Sequence, residues 1–365
     1  MKIGMIGCGN ISPAYLNYLA HSEVAEVHAL ADLVPEKARE RGNEFRIANV
    51  CTVEEILRHP EIELILNLTI PGSHASINMD ALYHGKHVYV EKPLSVSLQD
   101  AKAALDLAAA KRLRVGCAPD TFLGAGIETA RRAIEDGLIG RPVAATAFMM
   151  GAGPESWHPN PDFFYAEGGG PMFDMGPYYL TALMHLLGPI AAISGTAASP
   201  LKERLIGAGP RAGASIPVST ATHYSGTLNF VSGAVGTMIV SFDIPGGSAL
   251  PWIEIYGTEG TLSLPDPNFF DGEVKLRRHG SEEWTVLPPV FHSETNERGR
   301  GLEDMVKAIA EGRDHRASGL LAYHVLEAMH AFEASSLEGR RVELASSAEL
   351  QSGPEGYLVP AKVFV

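Results

Sequence analysis

The chain has 365 residues, more than one hydrophobic core usually organises and enough for two domains. It is 45% hydrophobic and 20% charged, an ordinary globular balance, with no low-complexity tract and no internal repeat. A formal net charge of -14 excludes the broad basic footprint that nucleic acid or an anionic lipid surface demands, leaving only local basic pockets.

Only three cysteines occur, Cys8, Cys51 and Cys117, an odd number that suits a reducing compartment better than a disulfide framework. No run of apolar residues approaches the length of a membrane span. A glycine turn follows the first six residues, too early for the apolar core of a signal peptide, so the expected location is the cytoplasm.

Ile3–Ile6 is a short apolar run bounded by glycine, the pattern of a buried parallel strand. Gly7-Cys8-Gly9-Asn10-Ile11-Ser12 follows, with Pro13 opening a helix to about Ala20. Ser12 is expected to cap that helix, and proline fits a first turn, where its missing N–H costs nothing. A glycine turn feeding a helix N-terminus offers free amides and a positive dipole end to a phosphate. This is the dinucleotide fingerprint with Ser12 in place of the third glycine. Gly7, Gly9, Asn10 and Ile11 are therefore the candidate cofactor loop.

The next apolar strand, Val27–Ala31, ends in Asp32. An acidic residue at this distance can accept hydrogen bonds from ribose hydroxyls and repel a 2′-phosphate, which favours NAD. Lys37 keeps NADP open, and a helix cap ahead of Pro35 is the competing role for Asp32. Helix over 36–46, strand over 64–68, helix over 75–84, strand over 87–90, helix over 98–110 and a strand near Val115 continue the alternation. Such alternation predicts a doubly wound parallel sheet, which binds ligands beyond the carboxyl ends of its strands. Three strand ends then face one crevice: the glycine loop, Thr69-Ile70-Pro71 with His74, and Glu91-Lys92-Pro93.

After Asp120, Thr121 and Phe122, candidates for lining a cleft between domains, a helix is expected over 127–136. Alternating runs at 144–150, 220–230, 234–242 and 252–256 predict an antiparallel sheet. The stretches 151–164 and 200–217 read as loops, the first carrying Trp157 and His158, groups suited to a carbohydrate or to surface packing. Ala166–Pro189 holds three successive glycines and then a helical run that sets Asp174, Tyr178, Thr181 and His185 on one face. That polar stripe is expected to face a cavity, while each member also has an ordinary packing or capping role to play. Helices over 304–311 and 318–337 and a strand over 340–344 close the pattern. His324 and His330 stand six apart, on different helix faces, and no other ligand cluster is legible, so no metal is expected.

The glycine fingerprint, the Glu91-Lys92-Pro93 triplet after an apolar strand, and the glycine run leading to Asp174-x-Gly176-x-Tyr178 together resemble the glucose–fructose oxidoreductase and inositol dehydrogenase family, Gfo/Idh/MocA. The resemblance spans nearly the whole chain. It implies a Rossmann domain over 1–121 and, over 122–365, an α/β domain with a large, mostly antiparallel open sheet that binds substrate and carries the subunit interface of a homodimer or homotetramer. It implies NAD(P)-dependent hydride transfer to or from a secondary alcohol or carbonyl of a sugar, polyol or inositol, with Lys92 as acid/base beside nicotinamide and a cis bond before Pro93. Tyr178 stands where the family commonly has His, and Thr181 where it has a second Asp; some branches also carry Tyr there.

The chemistry agrees with that assignment. Alcohol oxidation needs a base at the hydroxyl oxygen, and partial burial beside a cationic nicotinamide lowers a lysine toward neutral pKa. Tyr178 would share the proton and Asp174 orient Lys92 or a sugar hydroxyl. An NAD-using redox glycosidase and a cofactor-sensing regulator without turnover are the alternatives.

Overall fold

The computed structural model describes residues 1–347. Residues 348–365, the end of the expected second domain, lie outside the described residues. The chain divides into two compact units, Met1–Leu123 with Asn296–Leu326, and Gly124–Thr295 with Glu327 onward.

In the first unit β1 (Lys2–Ile6), α1 (Ser12–Leu19), β2 (Glu26–Ala31), α2 (Pro35–Phe45), β3 (Asn49–Val50), α3 (Val53–Arg58), β4 (Leu64–Asn67), α4 (Pro71–Tyr83), β5 (His87–Val90), α5 (Leu98–Lys111) and β6 (Val115–Cys117) alternate. The six strands are all parallel in the order β3-β2-β1-β4-β5-β6, the doubly wound arrangement expected. The strand order reverses between β1 and β4, so the carboxyl ends of those two strands define the crevice. Prolines Pro13, Pro35 and Pro71 stand in the first turns of α1, α2 and α4, where a missing N–H is harmless. A Thr52–Glu55 capping box opens α3, an element the sequence reading lacked. Ser12 is a correction: it is the first helical residue, behind Ile11 as N-cap, and its hydroxyl donates back to the Gly9 carbonyl at 2.8 Å.

The second unit holds α6 (Ala125–Glu135), β7 (Pro142–Met150), α7 (Gly170–Asp174), α8 (Gly176–Leu187), β8 (Ile190–Ala198), β9 (Glu203–Leu205), β10 (Ser215–Pro217), β11 (His223–Phe230), β12 (Val235–Ser241), β13 (Ile253–Gly257), β14 (Gly260–Leu264), β15 (Lys275–Arg278) and β16 (Thr285–Val286). Then α9 (Arg300–Glu311) belongs to the first unit, α10 (Gly319–Glu338) runs across the division in sequence, and β17 (Val342–Glu343) belongs to the second. The nine-stranded sheet runs β16-β15-β14-β13-β7-β12-β11-β8-β17, antiparallel except for the β7–β12 pair. On β11 and β12 alternate residues are buried, so one face of the sheet packs inward and the other is partly open. On the covered face Phe332 of α10 fits against Gly195 and Gly226, where any Cβ would collide with its ring.

Two expectations are corrected here. The stretch 200–217 is not all loop, since β9 and β10 pair as a short hairpin within it. The helical run from the triple glycine is not continuous: Met175, at φ -106°, separates α7 from α8. Pro177 explains the break, because it has no N–H for the turn before it and disfavours helical backbone at Gly176.

Candidate active site

The carboxyl ends of β1, β2, β4 and β5 bring most of the expected cofactor residues together. Gly7 sits at φ +103° with its backbone pressed on Leu68, where an added Cβ would lie 2.5 Å from the Leu68 carbonyl, so only glycine fits. Beside Gly9 the space is open, with nothing within 4 Å of a Cβ position. Asp32, directly after β2, reaches back to this loop: one carboxylate oxygen accepts the Cys8 amide at 2.7 Å and the other the Val34 amide at 2.8 Å. Burial, with the Asp32 charge beside it, pushes the Cys8 thiol up to about 12, so it stays protonated and is no nucleophile. Arg41 of α2, overlooked in the sequence, donates to the Ser12 hydroxyl at 3.2 Å and puts a cation beside the loop.

At the end of β4, Asn67 accepts from the Thr69 amide and hydroxyl and donates to Asn78 and the His74 carbonyl. His74 is fully buried and spans two strand ends, with Nδ1 2.7 Å from the Pro93 carbonyl and Nε2 3.0 Å from the Thr69 carbonyl. Burial lowers its pKa while the two carbonyls oppose that shift. The Lys92–Pro93 bond is cis, as the resemblance implied, and so is Ala118–Pro119.

Glu91 is buried, and both of its oxygens are engaged. One accepts the Tyr15 hydroxyl of α1 at 2.7 Å, and the other accepts the amide of Lys92 at 2.9 Å. Tyr15 is itself fully buried, and burial followed by the Glu91 charge holds its hydroxyl well above the usual tyrosine range, so it remains a donor. Glu91 thus fastens the helix of the glycine loop to the backbone of Lys92, which is half-buried. Sequence reasoning passed over Tyr15 because the pair lies 76 positions apart.

Asp120 lies near this corner, its charge adding to burial and to the charge of Glu91 in raising Tyr15. Its carboxylate accepts the Gly299 and Gly301 amides at 3.0 and 2.9 Å, capping the entrance to α9. Burial raises its pKa to about 6 against the pull of those amides and Arg298.

In the second unit Asp174 ends α7 and is half-buried, while Tyr178 and Thr181 lie on α8, whose residues are all buried. His185, on the same helix, meets Glu128 of α6 through Nε2 at 2.7 Å, so the lower end of the polar stripe packs on a helix and not on open space. Trp157 is 65% exposed, with its ring edge-on to His158 at 5.5 Å, and His158 in turn meets Phe163 and Phe164. Beneath this loop Arg204 pairs with Glu155 and Asp243, and Tyr165 donates to Glu155. Phe164, Tyr165, Ile206, Ile216 and Phe242 form the apolar base under it.

Residues 1–118 match the oxidoreductase family with an NAD-binding Rossmann fold, and residues 127–263 match the Gfo/Idh/MocA C-terminal domain. The chain belongs to the Gfo/Idh/MocA oxidoreductase family. Its relatives in that family include the levoglucosan dehydrogenase of Pseudarthrobacter phenanthrenivorans, 24% identical over 72% of this chain and 73% of that enzyme. The scyllo-inositol 2-dehydrogenase (NAD(+)) of Bacillus subtilis is 28% identical over 58% of this chain and 57% of that protein. A solved levoglucosan dehydrogenase in complex with NADH and levoglucosan shares the fold at a TM-score of 0.82, with 22% identity over 94% of this chain and 99% of the other.

The first unit of this Gfo/Idh/MocA protein is an NAD-binding Rossmann domain, and its residues fit the dinucleotide. The gap beside Gly9 leaves backbone accessible to a pyrophosphate at the entrance of α1. Leu33 is 96% exposed and Ile70 70%, two bare aliphatic side chains in the loops after β2 and β4, at the carboxyl edge of the sheet. Asp32 places a carboxylate directly after β2, where an acidic group can accept from a ribose. No helix among the described residues is long and apolar enough to cross a membrane.

Proposed function

We propose that the protein is an NAD-dependent dehydrogenase or reductase acting on a secondary alcohol or carbonyl of a sugar, polyol or inositol-like compound. The observation that carries this reading is the Glu91 corner. A lysine emerges at the carboxyl end of a Rossmann strand with its backbone fixed on both sides, by Glu91 at its own amide and by His74 at the Pro93 carbonyl. Residues placed this firmly suit proton transfer, which depends on placement to a fraction of an ångström.

In this reading Gly7, Gly9, Asn10, Ile11 and Asp32 hold the pyrophosphate and ribose, while Thr69, Pro71, His74 and Glu91 shape the nicotinamide end. When bound, NAD supplies the hydride acceptor or donor. Lys92 takes the proton from the substrate hydroxyl in oxidation and returns it in reduction. Tyr178 shares that proton, and Asp174 orients Lys92 or a substrate hydroxyl. Trp157 and His158 offer ring faces to a carbohydrate, and Asp120 acts indirectly, through α9. The partly open face of the nine-stranded sheet supports assembly as a homodimer or homotetramer.

The relatives' substrates, levoglucosan and scyllo-inositol, make polyhydroxylated rings the first compounds to try. Purified protein would be assayed at the NADH absorbance band with NAD or NADP against aldoses, anhydrosugars, inositols, polyols and keto-sugars. Reduction of NAD by one class of ring is the expected result. Release of free sugar from a glycoside without net NADH would replace the reading with a redox glycosidase, and cofactor binding without any turnover would replace it with a sensor.

A further inference from the structure

At the amino end of the Rossmann sheet, opposite the cofactor crevice, three side chains converge that the redox chemistry does not use. His28 projects from β2, His59 caps the C-terminus of α3, and Glu61 lies in the turn before β4. One ligand atom from each lies within 4.8 Å of the other two. The imidazoles meet edge to face with centroids 5.2 Å apart.

The surroundings of His28 give the cluster a direction. Its Nδ1 lies 3.4 Å from a Glu26 carboxylate oxygen, and a carboxylate can only accept, so the proton belongs on Nδ1. That leaves Nε2 with a lone pair facing Glu61 Oε2 at 3.8 Å, two acceptors opposed across a gap. Carboxylate, imidazole and then a ligand-facing nitrogen is the order in which outer carboxylates orient metal-binding histidines. The Asn49 amide donates to the His28 carbonyl at 3.0 Å, and its second N–H points to the same nitrogen at 3.3 Å, a contact that a bound cation would replace. Lys2 pairs with the other Glu61 oxygen at 3.0 Å, leaving Oε2 available.

We propose that His28, His59 and Glu61 form a binding site for one divalent cation of the zinc class, with Glu26 as the orienting carboxylate behind His28. Two imidazoles and one carboxylate favour zinc, nickel or copper over magnesium or calcium, which prefer oxygen alone. Bonds of about 2.0 to 2.2 Å need ligand atoms closer than 4.8 Å, so binding draws the turn after α3 toward β2. The ion would brace the first unit and leave the crevice at the other end of the strands untouched.

The test uses untagged full-length protein stripped with chelator and titrated with zinc chloride alone by calorimetry, with magnesium chloride in parallel. Expected are one equivalent of zinc, no magnesium heat, a higher thermal midpoint and unchanged NAD affinity. His28→Ala and His59→Ala should each weaken zinc by about 10-fold or more, and Glu26→Gln by roughly 10-fold. His59 ends an exposed helix, so its variant reads the site even where His28→Ala disturbs the sheet. Absence of saturable zinc binding, or zinc affinity equal to the parent's in both histidine variants, overturns the proposal and leaves His28 beside Glu26 and Glu61 as an ordinary hydrogen-bonded side chain.

Discussion

The corner at Glu91–Lys92 and the loop at Trp157–His158 solve opposite problems. At the corner every fixing group is buried: Tyr15, Glu91 and His74 each have their polar atoms tied to a helix or a strand end. At the loop the outer surface is exposed aromatic ring, and the rigidity lies one layer below, in the Arg204 ion pairs and the Phe164 cluster. The first arrangement holds one atom in place with little tolerance. The second presents ring faces on a fixed footing, as the proposed recognition of a hydroxylated ring would require.

The sharpest way to break this contrast is Lys92→Ala, for which turnover should fall about 10²- to 10⁴-fold, the range of a lost general acid/base, with NAD affinity nearly unchanged in a fluorescence titration. Undiminished turnover would return the triplet to a purely structural role. Gly9→Ala adds one methyl into open space, so the thermal midpoint should hold while NAD affinity drops by roughly 10-fold or more. Loss of both together would mean that the loop itself was strained. Tyr15→Phe leaves a buried Glu91 oxygen without its donor, and urea unfolding should report a loss of about 1.5 to 3 kcal/mol, accompanied by a lower kcat. Trp157→Ala should instead raise KM for the ring substrate by a few-fold, about 1 kcal/mol, leaving kcat and stability alone.

The smallest effect concerns Asp120. Its pKa is raised in the folded protein, from 3.8 to about 6, so the folded state binds the proton more tightly than the unfolded chain. Its contribution therefore favours folding at low pH and is lost as pH rises through about 6. His315, buried and pushed down to about 4, acts with the opposite sign, so the parent protein alone cannot isolate the term. Asp120→Asn keeps an acceptor for the Gly299 and Gly301 amides without the buried charge. Its urea midpoint should equal or slightly exceed the parent's at pH 8, with that advantage shrinking toward pH 5. An advantage that grows with acidity would contradict the raised pKa.

Much of the corner was legible because its signals are local. Glycine spacing, a proline after a strand and an acidic residue closing the next strand each act within a few positions, and each lies on the expected crevice. Its supports were illegible because Tyr15–Glu91 and His74–Pro93 join residues that only the fold makes neighbours. In the second unit the large sheet was readable from alternation, but the β9–β10 hairpin was not, since three-residue strands are too short to show a period. The Asp174–Tyr178 stripe was overdrawn for the reason Pro177 supplies, a break that puts the two residues on different helices. Asp120 looked like a cleft residue because it follows the last parallel strand, whereas the amides it caps are supplied from nearly two hundred positions later.

That last pairing bears on how the molecule is made. Residues 296–326 complete the first unit, yet a ribosome delivers them only after the whole of 124–295. Until then Asp120 has no helix to cap, and Gly116 lacks the Met305 side chain that packs against it. A nascent chain halted before residue 296 would carry the glycine fingerprint and all six parallel strands but no α9, so the cofactor domain is completed only after the intervening 124–295 have been made.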